Sequence, residues 1–260
     1  MDLSKFQINN KFLMLALDHR GSFKKLMNPQ NPDSVTDENI INLKNEIIDS
    51  LKDQFSALLI DETWGLKACH EICQVKSFLL PLEKSSHSGI TELEYTVSQI
   101  KEMGASGAKI LIDFNPNSEN VSHQLEVARK VMDNCRAEDF PLFLEIVTGS
   151  TDLVLESVQM FLEEGIEPDV WKLEYPGSPE VCVELTKLLG QTPWILLTGG
   201  QTFEEFKPEL EVASQNGARG FLAGRALWQE VCQLEGPEKE KFLKETLKDR
   251  FKQIVSIATM

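Results

Sequence analysis

The sequence predicts an α/β protein of the (β/α)8 TIM-barrel class, with residues 1–260 forming a single domain. Eight short apolar runs recur along the chain, and most are followed by a longer segment with helical periodicity. This alternation predicts parallel strands, and eight repeats in a chain of this length favour a closed barrel over an open doubly wound sheet. An open dinucleotide-binding sheet should carry Gly-x-Gly-x-x-Gly after its first strand, whereas this chain has Asp18-His-Arg-Gly-Ser22.

The predicted strands are rich in leucine, isoleucine, valine and phenylalanine, which suits burial on both faces. They cover residues 12–17, 57–60, 77–82, 108–114, 141–147, 169–173, 193–197 and 220–223. The predicted helices cover residues 37–54, 64–73, 92–103, 120–136, 152–164, 178–189 and 202–215, and a last helical region follows Arg225 with a break at Gly236-Pro237. Threonine or serine at helix starts and glycine at helix ends support these boundaries.

Composition limits the classes of partner. The net charge of −15 repels polyanions, so we expect no nucleic-acid partner. The beginning of the chain lacks the apolar core of a signal peptide, and no stretch approaches the length of a membrane span. We therefore expect a cytoplasmic protein with no membrane partner. The sequence leaves open whether the protein is a monomer or a homo-oligomer.

The five cysteines form an odd, scattered set that predicts reduced thiols. They are Cys69, Cys73, Cys135, Cys182 and Cys232. Cys69 and Cys73 flank His70 at a spacing that suggests a metal site, but no second ligand pair accompanies them.

Polar or ionisable residues stand at the end of nearly every predicted strand. They are Asp18, Asp61, Glu83-Lys84, Lys109 with Asp113, Glu145, Lys172 with Glu174, Thr198-Gly199-Gly200 and Gly224-Arg225. The active sites of barrel enzymes lie at the C-terminal ends of the strands. Stability alone does not require this pattern, so it predicts a functional site there.

Side-chain alternation predicts which of these groups face the barrel axis. In residues 108–114 the isoleucines share one face and Lys109 lies with Asp113 on the other. The same rule separates Glu145 from Leu144 and Ile146, and Lys172 from its apolar neighbours. If the apolar faces meet the helices, the charged groups converge inside the barrel.

Lys172 lies in the middle of a strand-like run, Asp169-Val-Trp-Lys-Leu-Glu174. Burial disfavours an ammonium, so such a lysine is either paired or pushed toward the neutral, nucleophilic amine. Nucleophilic amines attack carbonyls and form Schiff bases. Alternate strands share interior layers, so Lys109 is expected at a similar height, where a second positive charge favours the neutral amine. The alternative is that these lysines and carboxylates only neutralise one another in a polar barrel layer.

Two glycine-containing segments predict a phosphate site. Thr198-Gly199-Gly200 follows the seventh strand and Gly224-Arg225 follows the eighth, where barrels commonly bind phosphate through backbone amides. Arg225 adds a charged donor. A surface salt bridge is the alternative role for Arg225.

The histidines do not predict a zinc site, since His70 and His123 fall in predicted helices and leave His19 and His87. Asp113 and Glu145 offer a carboxylate site for magnesium, although the neighbouring Lys109 argues against it.

Seven segments, in order along most of the chain, resemble the class I tagatose-1,6-bisphosphate aldolase group, which includes sulfofructose-phosphate aldolases and 5-keto-2-deoxygluconate-6-phosphate aldolase domains. They are Ala16-Leu-Asp-His-Arg-Gly21, Leu59-Ile-Asp-Glu-Thr-Trp-Gly65, Leu82-Glu-Lys84, Gly107-Ala-Lys-Ile110, Pro141-Leu-Phe-Leu-Glu145, Val170-Trp-Lys-Leu-Glu174 and Gly220-Phe-Leu-Ala-Gly-Arg225. The chain departs from the tagatose enzymes at His19, where they typically have glutamine, and at Thr198, where serine is usual.

The resemblance implies a carbon–carbon lyase with a Schiff base at Lys172 and Glu145, Lys109 and Asp18 as catalytic partners. It implies a phosphorylated ketose or keto acid as substrate, dihydroxyacetone phosphate as one product, and no metal or other cofactor. The residues expected to contact substrate or its phosphate are Arg20, Asp61, Lys84, Thr198, Gly199, Gly200, Gly224 and Arg225. A metal-dependent lyase or isomerase and a non-catalytic sugar-phosphate-binding protein are the alternative functions.

Overall fold

Eight parallel strands close into a barrel in the order of the sequence in the computed structural model, which describes residues 1–85 and 89–260. The strands are β1 (Phe12–Leu17), β2 (Leu58–Ile60), β3 (Phe78–Pro81), β4 (Gly107–Asp113), β5 (Leu142–Val147), β6 (Val170–Leu173), β7 (Trp194–Leu197) and β8 (Gly220–Ala223). β1 pairs with both β2 and β8, which closes the barrel. The predicted fold class is confirmed.

Helices alternate with the strands and cover the outside of the barrel. They are α1 (Gly21–Met27), α2 (Asp37–Leu51), α3 (Gly65–Ala68), α4 (Val97–Glu102), α5 (Val121–Ala137), α6 (Val154–Glu163), α7 (Pro179–Leu189), α8 (Phe203–Gln215), α9 (Arg225–Trp228), α10 (Gly236–Lys241) and α11 (Leu247–Ala258). Helix α1 was not predicted, and the helices expected at 64–73 and 92–103 are shorter. In the second of these, Leu93 forms an antiparallel bridge with Glu83, so the helix begins only after Thr96, which forms a capping box with Gln99.

The apolar residues form two layers. Leu15, Ile110 and Trp171 belong to the layer between strands and helices, whereas Met14 and Phe143 lie inside the barrel. The predicted side-chain alternation is therefore confirmed, because the charged groups of β4, β5 and β6 point inward together with the second set.

Aromatic side chains fill the N-terminal end of the barrel. Phe6, from a 3-10 turn before β1, packs edge-on against Phe143 with ring centroids 5.1 Å apart. Phe12 meets the same ring at 5.9 Å. Gly220 allows β8 to approach β1 here, since its φ is +132° and a Cβ would lie 2.0 Å from the carbonyl oxygen of Phe12. The accessible end of the barrel is therefore the C-terminal end.

The expectation of reduced thiols is wrong for two cysteines. Cys69 and Cys73, which follow α3, form a disulfide, because the turn after this short helix brings their Cα atoms to 5.6 Å. Cys135, Cys182 and Cys232 are free and buried. Among the described helices, none combines the length and the apolarity that a bilayer crossing requires.

Candidate active site

A cleft of about 330 Å³ opens at the C-terminal end of the barrel. It is lined by all of the predicted site residues except Asp61, namely Asp18, Arg20, Lys84, Lys109, Glu145, Lys172, Thr198, Gly199, Gly200, Gly224 and Arg225. The strand ends thus bring together groups that lie up to about two hundred residues apart in the chain.

Lys172 and Glu145 form the centre of the cleft floor. They are direct neighbours in the pairing of β5 with β6, and both side chains point inward. The Nζ of Lys172 lies 2.7 Å from Oε1 of Glu145, and Lys172 is only 5% exposed. Of the two states that the sequence allows for this lysine, the structure shows the paired one. The carboxylate beside the amine is a ready acceptor for its proton.

Lys109 contacts three carboxylates. Its Nζ lies 2.6 Å from Glu83, 3.0 Å from Oε2 of Glu145 and 3.3 Å from Asp18. Burial opposes its charge, but the carboxylates of Glu145, Glu83 and Asp18 outweigh burial and hold the pKa of Lys109 well above its usual range. Lys109 therefore remains an ammonium, and Glu145 links it to Lys172.

Asp18 and Glu145 are both held in the ionised form. Burial raises the pKa of each carboxyl group, but the positive charges of Lys109 and Lys172, together with the hydrogen bonds to these lysines, outweigh burial. The pKa of Asp18 lies well below its usual range, and that of Glu145 is lowered. Both groups can accept a proton at neutral pH.

Glu83 is a site residue that the prediction of substrate contacts missed. Its side chain is buried beside Lys109, and its Oε2 has no hydrogen-bond partner in the described part of the chain. The available signal was alternation, since position 83 continues the inward face of β3 beyond Pro81.

His19 also lines the cleft, with its ring edge-on to Trp228 at 5.1 Å. Burial is the main cause that lowers its pKa to about 4, and the positive charges of Arg225, Lys44 and Lys172 act in the same direction against the attraction of Asp18. His19 is therefore neutral at pH 7.

Arg20 and Lys84 line the cleft but are engaged by carboxylates. Nη1 of Arg20 lies 3.2 Å from Glu62 and 2.6 Å from Glu94. Lys84 is half exposed and lies 2.6 Å from Glu92.

Asp61 lies outside the cleft, contrary to the prediction. It is completely buried, and its Oδ1 lies 2.5 Å from Nζ of Lys44. Its Oδ2 accepts hydrogen bonds from the backbone N–H groups of Trp64 and Gly65. Lys44 also donates to the carbonyl oxygen of Leu17. The sequence placed Asp61 at a strand end, but only the structure shows that helix α2 supplies a lysine that binds it.

The two predicted phosphate segments lie side by side at the ends of the neighbouring strands β7 and β8. The turn after β7 has φ values of +53° at Gly199 and +86° at Gly200. A Cβ on Gly200 would lie 2.9 Å from the guanidinium of Arg225, so glycine lets Arg225 lie against this turn. In the described part of the chain, neither glycine N–H is paired and Arg225 has no carboxylate partner.

Within residues 1–85 and 89–260, no group of three or more His, Cys, Asp or Glu side chains is arranged to hold a metal ion. Asp113 lines the cleft, but the carboxylate of Glu145 is shared by two lysines. His87 lies outside the described residues.

Two buried amines share one carboxylate at the open end of a closed barrel, which is where barrel enzymes have their active sites. Residues 12–230 match the family model described as DeoC/LacD family aldolase, and the chain belongs to this family. Aldolases are carbon–carbon lyases, so the predicted class of enzyme is confirmed.

Curated relatives agree with the predicted resemblance. The chain is 27% identical to the tagatose 1,6-diphosphate aldolase of Staphylococcus epidermidis, over 95% of this chain and 90% of the relative. It is 26% identical to tagatose 1,6-diphosphate aldolase 2 of Streptococcus pyogenes, over 91% and 86% of the two chains.

Solved structures share the fold. A Schiff-base-forming fructose-1,6-bisphosphate aldolase superposes with a TM-score of 0.67 at 23% identity, covering 94% of this chain and 96% of that one. An archaeal fructose-1,6-bisphosphate aldolase, with its catalytic lysine bound to the carbinolamine intermediate, superposes with a TM-score of 0.67 at 22% identity, covering 96% and 97%.

Proposed function

We propose that the protein is a class I aldolase that cleaves a phosphorylated ketose through a Schiff base at Lys172. The observation that carries this proposal is the position of Nζ of Lys172, buried on the cleft floor and 2.7 Å from Glu145. An amine that attacks a carbonyl must first lose its proton, and Glu145 is in place to accept it.

Schiff-base formation then follows from these groups. The amine of Lys172 attacks the ketone carbon, and the resulting carbinolamine loses its oxygen as water, which also carries away the proton from Glu145. A C=N iminium remains, and Glu145 is again a carboxylate. Lys109 stabilises the negative charge that develops on the ketone oxygen during the attack, because the carboxylates around it keep it an ammonium.

Carbon–carbon cleavage uses the same carboxylate. Glu145 takes the proton from the hydroxyl group next to the breaking bond, and the electron pair of that bond moves into the iminium to give an enamine. The aldehyde half leaves, and Glu145 returns its proton to the enamine carbon, which regenerates the iminium and the carboxylate. Water then hydrolyses the iminium and releases the ketone half from Lys172. Asp18, 3.3 Å from Lys109, orients this ammonium and the substrate hydroxyl groups.

The phosphate is anchored between the segments that follow β7 and β8. The guanidinium of Arg225 lies against Gly200, and both residues line the cleft together with Thr198, Gly199 and Gly224. This anchor fixes the ketone carbon against the amine. The product that keeps the anchored phosphate is dihydroxyacetone phosphate.

The substrate belongs to the group that the relatives' names indicate, phosphorylated ketohexoses related to tagatose 1,6-bisphosphate. A phosphorylated keto acid is the second candidate, since the resemblance includes enzymes of that type. A cytoplasmic location, homo-oligomer formation and the action of residues 1–260 as a single domain stay predictions.

Borohydride trapping tests the Schiff base. The enzyme is reduced in the presence of dihydroxyacetone phosphate, and the adduct is mapped by peptide mass. We expect an adduct on Lys172, and neither adduct nor turnover in Lys172→Met. Lys207→Met is the matched control: Lys207 lies on α8 outside the cleft, where its amine donates to Gln253 of α11, and the variant should behave like the parent protein. Turnover of a ketose phosphate with Lys172 unlabelled would refute the proposal.

A metal-dependent lyase is the rival function, because Asp113 and Glu145 both line the cleft. Incubation with a chelator separates the two functions: a class I aldolase keeps its activity, and the rival loses it. A protein that only senses sugar phosphates would bind them without turnover.

A further inference from the structure

The positively charged side chains that line the cleft differ in whether a carboxylate pairs with them. They are Arg20, Lys84, Lys109, Lys172 and Arg225. In the described part of the chain, the first four are ion-paired with carboxylates, and Arg225 is not. Because Lys109 and Lys172 belong to the chemical centre, Arg225 is the cation available for a phosphate.

Arg20 is committed to other groups. Its Nη1 lies between Glu62 and Glu94, and its Nη2 donates to the carbonyl oxygen of Glu83 at 2.8 Å. Burial opposes its charge, but Glu62 and Glu94 together raise the pKa of Arg20. The Nε of Arg20 is buried and has no hydrogen-bond partner among the described residues, so it is the one donor that Arg20 could still offer. A phosphate bound through Nη1 would have to displace Glu62 and Glu94, and both carboxylates would then face the phosphate.

We define the acidic rim as Glu62, Glu92 and Glu94, the carboxylates that pair with Arg20 and Lys84. Glu62 follows β2, and Glu92 and Glu94 lie between β3 and α4. Lys84 pairs with Glu92 at 2.6 Å, so the three carboxylates of the acidic rim outnumber Arg20 and Lys84, the two cations that they contact. Asp113, at the end of β4, adds an exposed carboxylate that has no ion pair among the described residues. A second phosphate on this side would meet a net negative charge, which disfavours binding.

We infer that the site prefers a ketose with one phosphate, on the carbon next to the ketone, and releases an uncharged hydroxyaldehyde. This inference rests on the proposed function, because it assumes that the half held by Lys172 stays bound after cleavage. That half needs the stronger anchor, and Arg225 with Gly200 supplies it. The hydroxyl groups of the departing half meet the carboxylates of the acidic side as hydrogen-bond donors.

Calorimetry with unreactive analogues tests the preference without turnover. The probes are a hexitol 1-phosphate and the matching hexitol 1,6-bisphosphate, which lack the ketone. We expect the monophosphate to bind at least about tenfold more tightly, the order that one like-charge contact produces. Equal or tighter binding of the bisphosphate would overturn the inference, as would a lack of binding by both.

Borohydride trapping of dihydroxyacetone phosphate on the same preparation keeps the two proposals apart. A Lys172 adduct together with a preference for the bisphosphate means that the aldolase function stands and the inference fails. A preference for the monophosphate with no adduct means that the phosphate anchor stands and the proposed chemistry fails.

A charge variant tests the physical cause. Glu94→Gln removes one of the two carboxylates on Nη1 of Arg20, so we expect the ratio of bisphosphate to monophosphate affinity to rise several-fold. Glu164→Gln removes a carboxylate from Arg129 on the outside of the barrel and should leave the ratio unchanged. An unchanged ratio in Glu94→Gln would show that the pairing of Arg20 does not set the preference.

Discussion

The pair of Lys44 and Asp61 offers a quantitative test of how the scaffold holds the site. Both residues are completely buried, and Nζ of Lys44 lies 2.5 Å from Asp61, 2.8 Å from the carbonyl oxygen of Leu17 and 3.0 Å from that of His19. These carbonyl groups flank Asp18, so Lys44 fixes the end of β1 where a cleft carboxylate begins. Replacing Lys44 by methionine keeps the length of the side chain and removes the amine.

Lys44→Met leaves a carboxylate buried without its cation. Removal of one partner from a buried ion pair destabilises a protein by about 3–5 kcal/mol. For a domain of this size each 1 kcal/mol lowers the melting temperature by about 2–4 °C, so we expect a fall of roughly 6–20 °C. The N–H groups of Trp64 and Gly65 still bind Asp61, which favours the lower half of this range.

Differential scanning calorimetry at pH 7 measures the shift. Lys52→Met is the control, since Lys52, which directly follows α2, makes an exposed pair with Asp49 of that helix, and its removal should cost less than about 1 kcal/mol. The double variant Lys44→Met with Asp61→Asn should lose less stability than the two single variants combined. A Lys44→Met protein that melts within about 2 °C of the parent would refute the reasoning.

Three further predictions concern the site and the cysteines. Glu83→Gln removes a buried carboxylate 2.6 Å from Lys109, and a charge-assisted hydrogen bond contributes about 1.5–3 kcal/mol, so we expect kcat to fall about 10–100-fold. Because Lys109 keeps Glu145 and Asp18, the melting temperature should fall by no more than about 3–12 °C, and an unchanged kcat would contradict this role. Burial lowers the pKa of His19 to about 4 from an ordinary 6.5, so the unfolded chain binds more protons than the folded chain between these two pH values. Up to about 3 kcal/mol of stability is therefore present above pH 6.5 and is lost as the pH falls to 4. Urea unfolding at pH 7 and pH 4.5 should show a smaller loss in His19→Gln than in the parent, and equal losses would argue against a lowered pKa of His19. Thiol titration of the denatured, unreduced protein should find the three cysteines outside the Cys69–Cys73 disulfide, and five reactive thiols would contradict that bond.

The inward-facing lysines were predictable because the barrel imposes a simple rule. Apolar residues at alternate positions of β4, β5 and β6 leave Lys109, Glu145 and Lys172 on the opposite face, and a closed parallel barrel has only one interior. Strand order also fixes where each strand ends in a barrel. The glycine-containing segments after β7 and β8 could therefore be predicted to lie next to each other.

Partners of the charged groups were not predictable. Asp61 and Asp18 both follow apolar strands, and nothing local distinguishes the carboxylate that α2 binds from the one that faces the cleft. The engagement of Arg20 by Glu62 and Glu94 joins residues more than forty positions apart, and the Cys69–Cys73 disulfide depends on where a short helix ends.

The sequence by itself therefore determined the barrel, the strands and the set of groups that end near its axis, because hydrophobic periodicity and strand order are local properties of the chain. Only the tertiary structure decided which of these groups pair with carboxylates and which, like Arg225, have no carboxylate partner in residues 1–85 and 89–260. Ion pairing depends on distances of 3–4 Å between residues far apart in the chain, and only folding sets those distances.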